Sequence, residues 1–272
     1  MTDDPVRAYY ASFGEMEWQR LERAEGAIEW IINTHFLEQH LPTNGRVIDL
    51  GGGPGRYSAW LADRGYRVVL ADLSPEMLDI ARRRLASPNV DEVVAADARD
   101  LSRWDDATFD AAVVLGPLYH LPDPPDRDRA VREVLRVVRA GGVVFFALMP
   151  VFALVSRTAG VPDERRHFRD PRFVRDLLDA GRFENDVPGR FTHAWGVRPA
   201  EVAPWFESFG LDTLALAASE SLAARAEDDF MAIRDADPDA YEVALRILVE
   251  TAREPSLLGA ARHLLYVGRV AG

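Results

Sequence analysis

The residues best suited to bind a ligand lie first in a glycine-rich stretch, which follows a short apolar segment. Val47–Leu50 predicts a buried strand that carries one acid, Asp49. A glycine-rich turn between a strand and a helix lets the backbone approach a nucleotide-like ligand closely. Arg56 stands where a dinucleotide-binding loop has its third glycine, and Pro54 lacks the N–H that would help to hold a phosphate. The loop therefore favours an adenosyl group over a pyrophosphate, and its glycines are Gly51, Gly52, Gly53 and Gly55.

Two further carboxylates follow predicted strands. Asp72 ends an apolar strand about 20 residues after the glycine loop, where an acid can accept hydrogen bonds from both hydroxyls of a ribose. A helix-capping role is the alternative, although Ser74 already supplies a cap. Asp97 follows the third strand and can accept from an adenine amine, while the N–H of Ala98 can donate to a ring nitrogen. A solvated loop acid is the alternative for Asp97.

The fourth predicted strand is followed by a turn that carries a histidine. Gly116 permits close backbone approach, and Pro117 stiffens the turn. Tyr119 and His120 then fall at the carboxyl edge of the sheet, where ligands bind in open α/β folds. His120 is our first candidate for a general base, with a structural hydrogen bond from its ring as the alternative, and Tyr119 is a further catalytic candidate.

The elements that must position these residues alternate between strands and helices from Gly45 onward. Such alternation predicts right-handed crossovers and an α/β fold with a doubly wound, mostly parallel sheet. The predicted strands are 47–50, 68–71, 90–95, 109–115, 143–148, 211–218 and 262–270, and the predicted helices are 56–63, 75–85, 127–139, 199–209 and 238–253.

The chain divides into four parts by pattern. Residues 1–44 predict a helical N-terminal lid, although its first aromatic side chains can instead belong to the core. Residues 45–150 form the ligand-binding core. Residues 151–198 lose the periodic pattern and predict a substrate-contacting cap inserted after the fifth strand. Residues 199–272 return to the core sheet and contain a helical insertion.

The composition excludes several kinds of chemistry. The 272 residues include no Cys, and all 32 basic residues are Arg, so there is no thiolate nucleophile, Schiff-base lysine or phosphate-binding lysine. A net charge of −12 argues against nucleic-acid binding. No apolar segment is long enough to cross a membrane and no signal peptide opens the chain, so we expect a cytoplasmic protein with no membrane contact. No metal site is predicted.

Together these motifs resemble the core of the class I S-adenosylmethionine-dependent methyltransferases. The resemblance runs from about Arg46 to Met149, and the sequence Gly116-Pro117-Leu118-Tyr119-His120-Leu121 is similar to a motif of a bacterial subgroup, as are residues 17–21 and 254–259. It implies a Rossmann-like sheet of seven strands with the last one antiparallel, S-adenosylmethionine as methyl donor and S-adenosylhomocysteine as product. The cofactor contacts predicted on this basis are Arg20, Asp49, Gly51, Gly52, Gly53, Gly55, Tyr57, Asp72, Leu73, Asp97, Ala98, Leu115 and Gly116.

The resemblance predicts methyl transfer to a small-molecule acceptor, by a monomer or a homodimer. The protein must align donor and acceptor and exclude water, and a base is needed only if the acceptor loses a proton. After His120, the candidate bases are His193, for which a satisfied loop histidine is the alternative, and Glu220. A non-catalytic S-adenosylmethionine-binding protein and a nucleotide-dependent oxidoreductase are the alternative functions. The predicted acceptor contacts, which suit an aromatic or apolar molecule, are Tyr10, Trp18, Tyr119, His193 and Trp195.

Overall fold

The computed structural model describes Trp18 and residues 24–187, 190–191 and 193–272. The strands of these residues are β1 (Arg46–Leu50), β2 (Arg67–Asp72), β3 (Val90–Ala95), β4 (Phe109–Val114), β5 (Val138–Pro150), β6 (Arg182–Glu184), β7 (His193–Val197), β8 (Leu211–Ala218) and β9 (Leu264–Val270). From residue 24 onward the α-helices are α1 (Ala24–His40), α2 (Arg56–Asp63), α3 (Pro75–Arg84), α4 (Pro124–Val137), α5 (Val151–Gly160), α6 (Pro171–Ala180), α7 (Pro199–Glu207), α8 (Glu227–Ala236), α9 (Pro238–Thr251) and α10 (Pro255–Leu258).

Seven strands form the main sheet, in the order β3-β2-β1-β4-β5-β9-β8. Strand β9 is antiparallel to both of its neighbours, whereas the other strand pairs of this sheet are parallel. The mostly parallel seven-stranded sheet with an antiparallel last strand is therefore confirmed. The short strands β6 and β7 attach where β7 pairs with the last residues of β5.

Helices cover both faces of the sheet, so its central strands are apolar on both sides. In β4, Ala111 and Val113 pack with residues of α1 and α2, while Ala112 and Val114 pack with residues of α4 and α7. Alternate side chains of a strand point to opposite faces, which explains why almost every residue of β4 is buried. The uninterrupted apolar run in the sequence thus identifies a central strand.

The boundary predicted between the helix over 127–139 and the strand over 143–148, at Gly141 and Gly142, is wrong. Helix α4 ends at Val137, and β5 begins at the next residue. The pairing of β4 with β5 shifts in register between Phe109 and Ala111, which places the two glycines in an irregular part of β5. A Cβ at Gly142 would lie 2.8 Å from the carbonyl oxygen of Asp110, so close strand approach requires the glycine.

Residues 151–197 form a layer at the carboxyl end of β5. It contains α5, a 3₁₀ segment (Pro162–Arg169), α6 and the β6–β7 hairpin. Its apolar side chains form a separate cluster that includes Leu154, Phe173 and Phe183 and that also contacts Tyr119. This layer therefore covers the sheet edge at which the fourth-strand motif emerges.

Some predictions fall on the N-terminal segment. Tyr10, Arg20 and most of the expected lid lie outside the described residues. Within α1, Ile28, Ile32 and Phe36 are buried against the sheet, so the apolar side chains of this helix belong to the core. None of the helices that the structure describes is long and apolar enough to span a membrane.

Candidate functional site

A cavity of about 1080 Å³ opens at the carboxyl ends of β1, β2, β4 and β5. The chain leaves β1 toward β2 on one side and returns to β4 on the other, so this is the point at which the strand order reverses. Open α/β sheets bind ligands at such a point because the loops on its two sides separate and leave a crevice. The cavity lining includes residues 49–54 and 56–57, 72–74, 96–99, 115–117 and 119–123, together with residues of α1, α5 and the segments around 225 and 262.

The glycine loop forms one wall of this cavity. Gly51 has φ +74° and donates its N–H to the carbonyl of Ala71 at 2.7 Å, which ties the loop to the end of β2. A Cβ at Gly51 would lie 2.6 Å from the ring of Pro117, so the loops after β1 and β4 interlock here. At Gly53, φ is +53° and a Cβ would meet nothing within 4 Å, because the loop opens onto the cavity there. The predicted close backbone approach thus has a physical basis at these two positions.

Asp49 lies beneath the loop and is 1% exposed. The pKa of its carboxyl is raised to about 7, chiefly by burial; the hydrogen bond from Ser58 opposes this change, and the nearby carboxylate of Asp72 adds to it. The Ser58 hydroxyl donates to Oδ2 of Asp49 at 2.7 Å. A buried carboxyl with a raised pKa at the edge of a cavity is suited to meet a cationic group.

Asp72 holds two loops together from the end of β2. Its Oδ2 accepts from the N–H of Gly53 at 2.8 Å, and its Oδ1 accepts from the N–H of Ser74 at 2.8 Å. Ser74 is the cap of α3, with its hydroxyl 3.3 Å from the N–H of Met77, as the sequence predicted. Each carboxylate oxygen has two lone pairs, so Asp72 can accept further hydrogen bonds from a ligand in the cavity it lines.

Asp97 also lines the cavity, but the structure adds a partner that the sequence did not reveal. Its carboxylate forms an ion pair with Arg99 at 2.6 Å, and Arg99 in turn contacts Asp126 at 2.7 Å. Burial disfavours the charge on Asp97, but the hydrogen bonds from Arg99 outweigh this effect and hold its pKa below the usual range. Arg99 therefore keeps Asp97 ionised and fixes its direction.

The fourth-strand motif forms the opposite part of the cavity. Pro117–His120 is a 3₁₀ segment in which Tyr119 is nearly buried. The ring of His120 lies 4.8 Å from that of Tyr119 and 5.1 Å from that of Phe191. Nδ1 of His120 is 3.4 Å from the carbonyl oxygen of His193, so the structure brings together the two histidines that the sequence singled out.

His193 begins β7 and lines the cavity. Its Nδ1 is buried without a hydrogen-bond partner among the described residues. His193 thus lies in a strand and not in a loop, and its Nδ1 is directed away from the hydrogen-bonding groups of the described residues. A buried polar atom without a partner costs free energy, so a ligand group that bonds it would be stabilised.

Two of the predicted acceptor contacts lie elsewhere. Trp195 does not line the cavity but is buried between the guanidinium of Arg127, 4.0 Å from its ring, and Trp205, 5.3 Å away. Strand β7 leaves the cavity along the edge of β5 and carries Trp195 to the core on the α4 and α7 side. Trp18 is also absent from the lining, and its ring lies 4.3 Å from the guanidinium of Arg84 at the end of α3.

Sequence reasoning missed an arginine on the cap. Arg157 of α5 lines the cavity and forms an ion pair at 2.9 Å with Glu164, which is fully buried. Asn185 donates to the same oxygen of Glu164 and to the carbonyl of Phe191. This network fixes Arg157 beside Phe191, with its guanidinium 5.2 Å from the ring, and places N–H donors on the cap side of the cavity. Arg157 lies within residues 151–198, which were predicted to form a substrate-contacting cap, but no motif in that segment singled it out.

A third histidine, His263, was also missed, although the segment that contains it was predicted as the last strand. It immediately precedes β9 and lines the cavity together with Arg225 and Arg262. The cavity consequently has two chemically different ends. Three carboxylates and the glycine loop surround the end formed by β1, β2 and β3, whereas the other end is lined by three histidines, arginines, Glu29 and the rings of Tyr119 and Phe191.

Comparisons with known proteins find similarity to methyltransferases. A family described as "Methyltransferase domain" matches residues 48–146, which run from β1 into β5. Over 97 residues the chain is 43% identical to a demethylmenaquinone methyltransferase of Clavibacter sepedonicus, a match that covers 36% of this chain and 38% of that protein. It is 23% identical over 257 residues to a tRNA 5-carboxymethoxyuridine methyltransferase of Escherichia coli (strain K12), covering 89% of this chain and 87% of that one.

A solved structure shares the fold. It is the 1,6-didemethyltoxoflavin-N1-methyltransferase of Burkholderia thailandensis, with 1,6-didemethyltoxoflavin and S-adenosylhomocysteine bound. The TM-score is 0.56 at 16% identity, with 98% of this chain and 88% of that chain covered. The chain thus spans less than half of the Clavibacter relative but nearly the whole of this structure. The matched region contains the elements that carry the glycine loop, Asp72 and Asp97.

Proposed function

We propose that this protein is a class I S-adenosylmethionine-dependent methyltransferase that methylates a small-molecule acceptor, since residues 48–146 match the methyltransferase-domain family. The observation that carries the proposal is the cavity at the strand-order reversal, with the donor-binding motifs at one end and histidines at the other. Its volume of about 1080 Å³ lies slightly above the range of about 300–1,000 Å³ for single-ligand pockets, so it has room for a donor and a small acceptor together. The motif at 116–121 also supports membership of the bacterial subgroup named above.

The residues of the acidic end fit S-adenosylmethionine. Asp72 would accept the ribose hydroxyls, and Asp97 would accept the adenine amine, next to the backbone N–H of Ala98. Asp49 would face the positively charged methionine end, because it is the buried carboxyl beneath the glycine loop. The loop at Gly53 would lie against the same end, since a Cβ there would point into open space. Tyr57, Leu73, Leu115 and Gly116 line the same cavity and complete this set.

Bound S-adenosylmethionine supplies an activated methyl group on a positively charged sulfur. The contribution of this chain is to bind, orient and shield. The interlocked loops at Gly51 and Pro117 fix the wall of the cavity, and α5 with its neighbours covers it. Water exclusion strengthens each electrostatic contact inside, and alignment of two bound reactants is worth several kcal/mol of the barrier, up to roughly 7–11 kcal/mol in well-oriented systems.

The acceptor end supports a small molecule with an apolar or aromatic part and a polar or anionic group. Tyr119, Phe191 and Met149 offer apolar surface, and Arg157 and His193 offer hydrogen-bond donors or charge. The net charge of −12 favours a small molecule over tRNA, because phosphate binding needs a basic surface. The glycine spacing argues against an oxidoreductase. A protein that binds S-adenosylmethionine without turnover would be recognised by a lack of S-adenosylhomocysteine release with every acceptor offered.

Ligand selectivity tests the proposal. We expect S-adenosylmethionine or S-adenosylhomocysteine at about 100 times its Kd to stabilise the protein by about 2.7 kcal/mol. This corresponds to a rise in Tm of roughly 5–10 °C for a protein of this size, and NAD should give none. Differential scanning fluorimetry measures all three ligands. Stabilisation by NAD alone would overturn the proposal. If a radiolabelled-methyl assay showed methylation of tRNA but of no metabolite, the acceptor would be a nucleic acid and not a small molecule.

Cofactor affinity should depend on pH through Asp49. In the free protein the pKa of Asp49 is about 7, so the carboxyl is half protonated at neutral pH. A cationic ligand favours the ionised form, so binding should release a proton and weaken by up to about tenfold per pH unit below pH 7. Isothermal titration calorimetry in buffers of different ionisation enthalpy measures that release. Asp49→Asn has the same shape without the charge, and an unchanged proton release in this variant would contradict the assignment.

A further inference from the structure

A hydrogen-bonded pair at the acceptor end involves residues that the sequence did not connect. Strands β8 and β9 are antiparallel neighbours, with Ala218 opposite Leu264. Glu220 follows the end of β8 and His263 precedes the start of β9, so the two lie together at the sheet edge beside the cavity. Nδ1 of His263 is 3.1 Å from Oε1 of Glu220.

Glu220 is held rigidly behind the histidine. It is 1% exposed and does not line the cavity. Its Oε2 accepts from the N–H of Arg262 at 2.9 Å and from the N–H of His263 at 3.2 Å. The next residue, Ser221, has φ +48°, a left-handed conformation that costs a non-glycine residue free energy and is often retained at functional sites. Glu220 therefore cannot itself reach a ligand, in contrast to its sequence-based role as a candidate base, but it can orient His263.

His263 lies between this carboxylate and the cavity. Its side chain is 21% exposed, and its ring centroid is 5.9 Å from that of Tyr119, another lining residue. When Nδ1–H donates to Glu220, the lone pair of the neutral ring is on Nε2. A buried carboxylate behind an imidazole fixes the tautomer in this way and stabilises the imidazolium that forms when the ring accepts a proton.

We propose that His263 is the general base that takes a proton from the methyl acceptor, with Glu220 as its positioning residue; this rests on the methyltransferase function proposed above. The geometry favours His263 over His120, because Nδ1 of His120 faces the backbone carbonyl of His193 at 3.4 Å. A carbonyl can orient a ring, but it carries no full negative charge to stabilise an imidazolium. The acceptor class is consequently one whose reacting O–H or N–H must be deprotonated.

The step is balanced without any further reactant. The acceptor's O–H or N–H bond breaks, and its proton moves to Nε2 of His263. The acceptor atom keeps the electron pair and forms the new bond to the methyl carbon. The electron pair of the broken S–CH₃ bond stays on sulfur, which becomes neutral in S-adenosylhomocysteine. The proton on His263 passes to solvent before the next cycle.

Other charges surround this pair and must be considered in any titration. Oε2 of Glu29, on α1, lies 3.7 Å from Nδ1 of His263. Arg262 is paired with Glu227 at 3.2 Å, and Arg225 lines the same cavity. The ligand atoms of Glu29, Glu220 and His263 also lie within 4.8 Å of one another, a spacing that could hold a divalent cation. Oε2 of Glu220 already accepts two backbone N–H hydrogen bonds, however, which favours the proton-transfer role over metal binding.

Nuclear magnetic resonance of the histidine rings tests the pair without any acceptor. We expect His263 to have the Nδ1–H tautomer when neutral, and its titration midpoint to fall by about one pH unit or more in Glu220→Gln, which keeps the shape but removes the charge. Glu29→Gln should shift it less, because that carboxylate is farther away. An Nε2–H tautomer in the wild type, or a midpoint unaffected by Glu220→Gln, would overturn the proposal. So would Mn²⁺ broadening of the His263 resonances at micromolar concentration together with loss of activity in EDTA.

Kinetics with an acceptor found in a metabolite screen provide the second readout. We expect His263→Gln to lower kcat by about 10²–10⁴-fold while the Kd for S-adenosylhomocysteine stays within about twofold. Glu220→Gln should move the acid limb of the kcat profile to lower pH, which a merely structural role would not do. Unchanged kcat in His263→Gln would refute the base while leaving the methyltransferase function intact. If no acceptor is methylated, the proposed function fails, and the ring titrations still decide whether the pair exists as described.

Discussion

Replacing Asp72 with alanine should weaken S-adenosylmethionine binding by at least about 100-fold, or about 2.7 kcal/mol, while the protein remains folded. The variant loses the proposed acceptor of both ribose hydroxyls. It also frees the N–H of Gly53 and the N–H of Ser74, which Asp72 now holds at 2.8 Å. Hydrogen bonds to a charged group are worth about 1.5–3 kcal/mol each, so loss of the ligand contacts alone accounts for the expected change. Isothermal titration calorimetry with S-adenosylhomocysteine measures it.

Asp79→Ala is the matched control for this variant. Asp79 lies on the outer surface of the adjacent helix α3, with 64% of its side chain exposed and an ion pair to Arg82. Its removal should leave both the affinity and the Tm nearly unchanged, because exposed pairs contribute about 0–1 kcal/mol. If Asp72→Ala bound S-adenosylhomocysteine as tightly as Asp79→Ala, the ribose assignment would be wrong. Circular dichroism shows whether each variant is folded.

Gly51→Ala should remove detectable cofactor binding and lower the free energy of unfolding by about 2–5 kcal/mol. Gly51 has φ +74°, where a side chain costs about 1–2 kcal/mol. In addition, the new Cβ would lie 2.6 Å from the ring of Pro117, and overpacking of this kind costs about 1–3 kcal/mol. The clash pushes the loops after β1 and β4 apart, which changes the wall of the cavity where the donor would bind. Urea unfolding and calorimetry measure the two effects.

Gly65→Ala separates the clash from the backbone strain. Gly65 has φ +87°, but a Cβ there would meet nothing within 4 Å. The free energy of unfolding of Gly65→Ala should therefore fall only by the cost of the backbone strain, and its affinity for S-adenosylhomocysteine should not change. Equal losses of stability in the two variants, with binding retained in Gly51→Ala, would show that the contact with Pro117 does not shape the site.

The position of the proposed donor-binding residues at the cavity could be predicted from the sequence because its information is local. An apolar run that ends in an acid and glycines specifies a strand, a tight turn and a helix, whatever lies elsewhere in the chain. Asp72 and Asp97 each follow a predicted strand, and the carboxyl ends of parallel strands meet at one edge of the sheet. Their position beside the glycine loop therefore follows from topology alone. The same reasoning failed at Gly141–Gly142, because a bulge between paired strands has no signal within one strand.

The acceptor half was decided only by the tertiary structure. Glu220 and His263 are 43 residues apart and form a pair because β8 and β9 are antiparallel neighbours. Arg157 faces the cavity because it is tied to the buried Glu164, and Trp195 leaves it because β7 follows the edge of β5. Such contacts depend on how distant elements pack, which neither periodicity nor local composition encodes. The sequence alone thus predicted the fold and brought the glycine loop, Asp72 and Asp97 to one edge of the sheet, and the packing of β7, β9 and the cap set which side chains line the other end of the cavity.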